Sequence, residues 1–190
     1  MAGYVLFYIM IAFSQIYAKS APTVSEAGYA MGLGFSPQIF TALLMCGAIS
    51  LAITIAISGK YIDIVGRRIW LIWTTFGVAI FGLALPYFLD NGTTTSLFWF
   101  LIIGMGLIGM GYGPLASLLP ELFPTHARYS GASLTYNISG LFGASVAAII
   151  ALPLNANYGL KGVGIYLTLN AVLSLIGLWF ITETRDRQLL

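Results

Sequence analysis

The sequence predicts an all-α integral membrane protein of six transmembrane helices, and three observations predict it. Only 7% of its 190 residues are charged, 59% are hydrophobic, and the mean hydropathy is +0.93. A soluble domain carries about 25% charged residues, so a chain with this few cannot cover a water-facing surface, and a soluble globular enzyme is excluded. The charges also fall at intervals, leaving uncharged apolar runs at about 2–18, 37–59, 69–89, 97–120, 129–154 and 162–182. These runs are 17 to 26 residues long, against roughly 20 for a helix that crosses about 30 Å of hydrocarbon. Finally, none of them alternates apolar with polar over about ten residues, as a barrel strand would.

The run 2–18 has no basic segment before it, contains Gln15, Tyr4, Tyr8 and Tyr17, and lacks a small-residue cleavage site. It is expected to be a mature span and not a secretory leader. Between 59 and 69 the chain turns sharply through a short charged loop into the third run. The fourth run carries Gly104, Gly106, Gly109, Gly111 and Gly113 followed by Pro114. In lipid such glycines let helices pack closely, and Gly109 with Gly113 forms a G-x-x-x-G pair. No Gly-Lys-Ser/Thr follows, so this is not a phosphate loop. Gly113-Pro114 is expected to bend the span. Cys46, the single cysteine, excludes an internal disulfide framework and a cysteine-rich metal site. The net charge of +2 is too small and dispersed for a nucleic-acid partner. No metal or cofactor is expected.

The basic residues set the expected orientation. Lys60, Arg67, Arg68, Arg128, Arg185 and Arg187 fall at one set of ends, against Lys19 and Lys161 at the other. Both termini are therefore expected in the cytoplasm, with 18–36, 90–96 and 155–161 outside.

Two cytoplasmic segments carry most of the charge. In the first, Gly59 would let the second span approach its neighbour and Gly66 would permit the tight turn, with Asp63 close to Arg67 and Arg68. In the second, Pro120 and Pro124 end the fourth helix, Glu121 and Arg128 lie at neighbouring helix ends, and Arg128 opens the fifth span. A carboxylate such as Asp63 is expected to be drawn to that helix N-terminus, where dipole and guanidinium act together. A solvated turn with stop-transfer basic residues would account for the first segment equally well.

Gly59-x-Tyr61-x-Asp63-x-x-Gly66-Arg67-Arg68 resembles the G-x-x-x-D-x-x-G-R-R/K signature of the major facilitator superfamily. Glu121-x-x-Pro124-x-x-x-Arg128-x-x-Gly131 resembles that superfamily's second-half element between the fourth and fifth helices. The string from Glu121 to Leu134 and the tail Glu183-Thr184-Arg185 are closest to the metabolite:proton symporter branch, which includes proline/betaine, 2-oxoglutarate, citrate and shikimate permeases. The resemblance implies the C-terminal six-helix half of a twelve-helix fold, with solute bound between the halves at mid-membrane. It also implies that Asp63, Arg67, Arg68, Glu121 and Arg128, framed by Gly59 and Gly66, form a cytoplasmic charge network that gates alternating access. A bacterial-type cytoplasmic membrane, a small organic acid or zwitterion as solute, and proton symport are implied likewise.

Every Asp, Glu, Lys, Arg and His lies at or beyond a span end, so a proton-coupling carboxylate would have to come from another half. Within the spans, Tyr4, Tyr8 and Gln15 are spaced by four and seven residues and are expected to share a face. Tyr136 and Asn137 lie in the fifth span, where Gly140, Ala144 and Ala148 extend the face of Tyr136, and Asn170 lies in the sixth. Each amide needs a partner in hydrocarbon, whether another helix, water or a solute. The resemblance makes the first and fifth spans cavity-lining, so Tyr4, Tyr8, Gln15, Tyr136 and Asn137 are the candidate solute residues. Interhelical hydrogen bonds are the competing role.

The chain matches only one half of such a transporter. A truncated product, a half that pairs with an N-terminal half, and a homodimer are three expectations, with truncation first. A non-transporting assembly partner is a further alternative. An intramembrane serine protease would need a base beside Ser130 or Ser133, yet His126 is the only histidine and precedes the span. An enzyme is therefore not expected.

Overall fold

A computed structural model describes residues 1–180, leaving out the side chains of Asp63, Ala116 and Ser117. Asp63's side-chain role and the tail residues Glu183, Thr184, Arg185 and Arg187 therefore lie outside the described residues. Among the described residues the fold is helical, apart from an isolated bridge between Val24 and Ala30. Lipid enforces this, because each backbone N–H and C=O must be satisfied inside its own segment.

The helices are α1 (Ala2–Lys19), α2 (Pro37–Val65), α3 (Arg67–Leu89) and α4 (Thr94–Glu121), then α5 (128–158) and α6 (160–180). α5 and α6 are one helical stretch, Arg128–Phe180, broken at Gly159 with φ 66° and ψ −170°. That conformation is open essentially only to glycine. The chain reverses there: Gly143 on α5 lies against Met1 and Tyr4, and Ser174 on α6 accepts the backbone N–H of Ala2 at 3.0 Å. The two arms thus return to the same depth, and six apolar helices result.

The first five helices outrun the apolar runs of the sequence, and α6 starts two residues before its run. α2 and α3 are separated by Gly66 alone, at φ 100°, where the sequence suggests a loop over 60–68. Likewise 155–161 is helical except at Gly159, and Asn155, expected outside, is fully buried. Charged residues tolerate helix once they pass the hydrocarbon, so charge marks the span end and not the helix end. The helix starts are capped locally: Ser36 accepts from Ile39 N at 3.4 Å before Pro37, and Thr93 accepts from Ser96 N at 3.2 Å.

The core lies between α1, α3, α4 and α6, where Leu6, Ile9, Met10, Leu85, Phe100, Leu101 and Leu167 are fully buried. The α4 glycines pack that helix onto α2. A Cβ on Gly109 would lie 2.5 Å from the carbonyl of Leu51, and one on Gly113 would collide with Ser58. Pro114 deprives the Met110 carbonyl of its usual donor, and the Trp70 indole N–H on α3 takes that place at 2.9 Å. In contrast, residues 128–140 of α5 have none buried.

At the other end the 20–36 loop folds back over the bundle. Leu33, Gly34 and Phe35 donate backbone N–H groups to Tyr17, Ser20 and Ala18 at 3.1, 2.8 and 2.8 Å. Asn155 Nδ2 donates to the Ala30 carbonyl at 3.0 Å and Ser25 Oγ to the Ala156 carbonyl at 2.7 Å. The ring of Tyr29 lies over Gly159. The loop therefore straps α1 to the α5–α6 reversal.

Candidate functional site

The charged end is built from helix termini. Gly66 brings Arg67 to the first position of α3, and Glu121 is the last residue of α4. A cation at a helix N-terminus and an anion at a C-terminus both oppose the helix dipole. They offset each other here: Arg67 Nη1 is ion-paired with Glu121 Oε1, with the side chains 18% and 15% exposed. Arg68 turns the other way, donating from Nε and Nη2 to the carbonyls of Leu178 and Trp179 at 3.0 and 2.9 Å. These bonds tie the start of α3 to α6.

Arg128 opens α5, again at the dipole's positive end, with Nε buried and without a hydrogen-bond partner among the described residues. Glu121 Oε2 is in the same position. The glycine of the second motif, Gly131, has a plain reason: the ring of Phe123 lies where its Cβ would be. Gly59 does not bring α2 against a neighbour within this chain, since a Cβ there would meet nothing within 4 Å. Its face is open because α2 packs on α4 through Ser58 and Thr54 instead. Tyr61, two residues on, stacks parallel to Trp70 with ring centroids 6.4 Å apart.

Within the bundle, α1, α4 and α5 bring three tyrosines together. Tyr4 and Tyr136 meet edge to face at 5.4 Å, and Tyr112 joins them. The trio forms the wall between two cavities. One, of about 710 Å³, opens on the face of α1 and α5 and also touches Phe7, Tyr8 and Asn137. The other, of about 370 Å³, lies behind it against Leu71, Thr74, Thr75 and Ser174. Tyr4 Oη is buried without a hydrogen-bond partner among the described residues.

Tyr4, Tyr8, Tyr136 and Asn137 are thus brought together, while Gln15 is exposed and lines neither cavity. The reason is a π-helical segment, Ile9–Phe13. It accommodates an extra residue in the turn and swings everything after it by roughly 100°, so a spacing of seven no longer returns to one face. A second π segment, Leu141–Ser145, does the same in α5. Gly140 and Ala144 line the cavity but Ala148 does not. Asn137 Nδ2 bonds within its own helix to the Ser133 carbonyl at 2.8 Å, and Asn170, in the core, to the Tyr166 carbonyl at 2.9 Å. Sequence reasoning passed over Tyr112, hidden among the glycines of α4. The available signal was its place as the only tyrosine in that helix.

The cavity wall offers ring faces and hydroxyl groups without a formal charge. Ring faces attract an ammonium group, and hydroxyls donate to a carboxylate. That combination suits a solute carrying both signs.

The comparisons agree with this architecture. Residues 28–190 match the family described as sugar (and other) transporter. A Haemophilus influenzae protein named for metabolite transport is 89% identical over 188 residues, covering 99% of this chain and 42% of the relative. The inner membrane metabolite transport protein YhjE of Escherichia coli is 40% identical over 100% of this chain and 42% of its own length. The proline/betaine transporter of Salmonella typhimurium is 31% identical over 135 residues, 70% of this chain and 27% of its own. The chain therefore spans under half the length of the curated relatives it matches. No solved structure matches it at a significant level. With six apolar helices, both loop motifs and a match over most of its length, the chain belongs to the sugar (and other) transporter family of the major facilitator superfamily.

Proposed function

We propose that this chain works as the C-terminal six-helix half of a secondary active transporter, moving a small zwitterion by proton symport and alternating access. The observation that carries it is the trio Tyr4, Tyr112 and Tyr136, exposed to a cavity of about 710 Å³ on a face that cannot rest against lipid. Ser130, Ser133 and Asn137 are exposed along the same α5 helix, and polar groups in hydrocarbon need a protein or water partner. A second six-helix half, or a second copy of the chain, would supply that partner and enclose the solute. A neutral aromatic wall favours a zwitterion over an organic anion, which would need a cation that this wall lacks. The names of the proline/betaine relatives support the same class.

In this mechanism Arg67, Glu121 and Arg128, with Asp63 from the adjoining helix, hold the cytoplasmic end closed. Both termini lie in the cytoplasm and the membrane is the bacterial inner membrane. No Asp, Glu, Lys, Arg or His of this chain lies within the apolar runs, so the proton is carried by a group of the other half. The test is uptake of radiolabelled proline and glycine betaine into proteoliposomes, with and without an inward pH gradient. The chain would be reconstituted alone and together with an N-terminal half from a full-length relative. Gradient-dependent uptake only in the combined vesicles is the expected result. Uptake by neither preparation would remove the transport reading, and uptake by the chain alone would favour a homodimer.

A further inference from the structure

The outward side of α3 and α6 carries a feature that the transport cavities do not share. These helices touch where a Cβ on Gly82 would lie 2.9 Å from the carbonyl of Gly164, and Thr168 Oγ1 ties them by donating to the Ala79 carbonyl at 3.1 Å. From that crossing toward the strapped end, a crevice of about 410 Å³ separates them. Its flanks are Leu83 and Ile165, 60% and 53% exposed. None of its lining residues lines either tyrosine cavity.

The mouth of the crevice is charged. Asp90, at the end of α3, and Lys161, at the start of α6, both border it and are exposed. Among the described residues neither side chain makes a hydrogen bond or ion pair. Deeper in, Pro86 has no N–H to give the Gly82 carbonyl, so an acceptor without its helical donor lies at the crossing. Tyr87, 79% exposed, stands beside the mouth, as aromatic residues do at the membrane–water boundary.

We infer that this crevice holds one phospholipid with a zwitterionic ethanolamine headgroup. The ammonium faces Asp90, the phosphate faces Lys161, and an acyl chain runs between Leu83 and Ile165. The charges decide among occupants. An anionic headgroup brings only repulsion to Asp90, and a simple cation only repulsion to Lys161. A soluble zwitterion leaves the apolar flanks without a partner, whereas a lipid of mixed sign satisfies all three surfaces.

The test is native mass spectrometry of the purified 190-residue chain, exchanged into equimolar phosphatidylethanolamine and phosphatidylglycerol. One phosphatidylethanolamine retained per chain, preferred at least about fivefold, is expected, since a surface charge is worth about 1 kcal/mol to a headgroup. The preference should vanish in Asp90→Asn, whereas Lys161→Gln removes a partner of the phosphate that both lipids carry and should lower retention of both. Leu83→Trp, which fills the apolar flank, should lower retention of both lipids. Equal retention of the two lipids by the unaltered chain would overturn the inference, independently of how any variant folds. So would a preference that survives Asp90→Asn, or full displacement by phosphoethanolamine without acyl chains.

Discussion

The two ends of the bundle are held by opposite means. At the end of α2, α3 and α4, charges meet: Arg67 and Glu121 each sit at the helix terminus that disfavours them, and each relieves the other. At the far end the 20–36 strap is held by neutral groups, chiefly main-chain amides and the side chains of Asn155 and Ser25. Opening the first arrangement leaves either partner in an unfavourable field. The second carries no charge whose field changes when it opens. Under the proposed function, the contrast would put movement at the charged end and rigidity at the strapped end.

Asp63→Asn should break the charged end most severely. Uptake by the assembled transporter is expected to fall about a hundredfold, while membrane insertion, measured by carbonate-resistant membrane content, stays intact. Unimpaired transport would remove the gating role. At the strapped end, Gly159→Ala forces a side chain into glycine-only backbone and against Tyr29. A loss of about 2 kcal/mol in chemical unfolding is expected. Asn155→Ala removes the donor to Ala30 and should cost about 1 kcal/mol. Hydrogen exchange of the Leu33, Gly34 and Phe35 amides should quicken with it, and unchanged exchange would mean that the strap does not depend on Asn155. Glu26→Gln, on the exposed outer side of the strap, should change stability by less than about 0.5 kcal/mol. A larger effect would show that charge matters at that end too.

Much of this was legible from the chain. Six apolar runs separated by charges are a direct image of the bilayer, because desolvating a charge is costly and lipid permits almost nothing but helix. The two loop motifs placed the charged end for the same reason. Helix phase was less accessible. Gln15 falls away from Tyr4 and Tyr8 because Ile9–Phe13 is π-helical, and no residue in that apolar stretch signals the extra one per turn. Tyr112 escaped notice because its importance comes from its neighbours on α1 and α5, not from its surroundings in α4. The absence of a loop between α5 and α6 depends on one backbone torsion at Gly159. Composition at 155–161, with two asparagines and a lysine, points to a loop instead.

Gly66 has a mechanical consequence. A connection of a single residue leaves two rotatable bonds between rods of 29 and 23 residues, so it behaves as a hinge with two degrees of freedom. A long flexible loop would let the rods swing independently. Here any tilt of α2 against α3 must appear as a twist at one glycine. α3 is anchored, because Arg68 clasps α6 at Leu178 and Trp179 and Trp70 clasps α4. α2, though it has the least of its surface buried in this half, is held on α4 at Gly109 and Gly113 and by Ser50 Oγ, which donates to the Ile102 carbonyl at 3.0 Å, so Gly66 joins two rods that are each tied to α4.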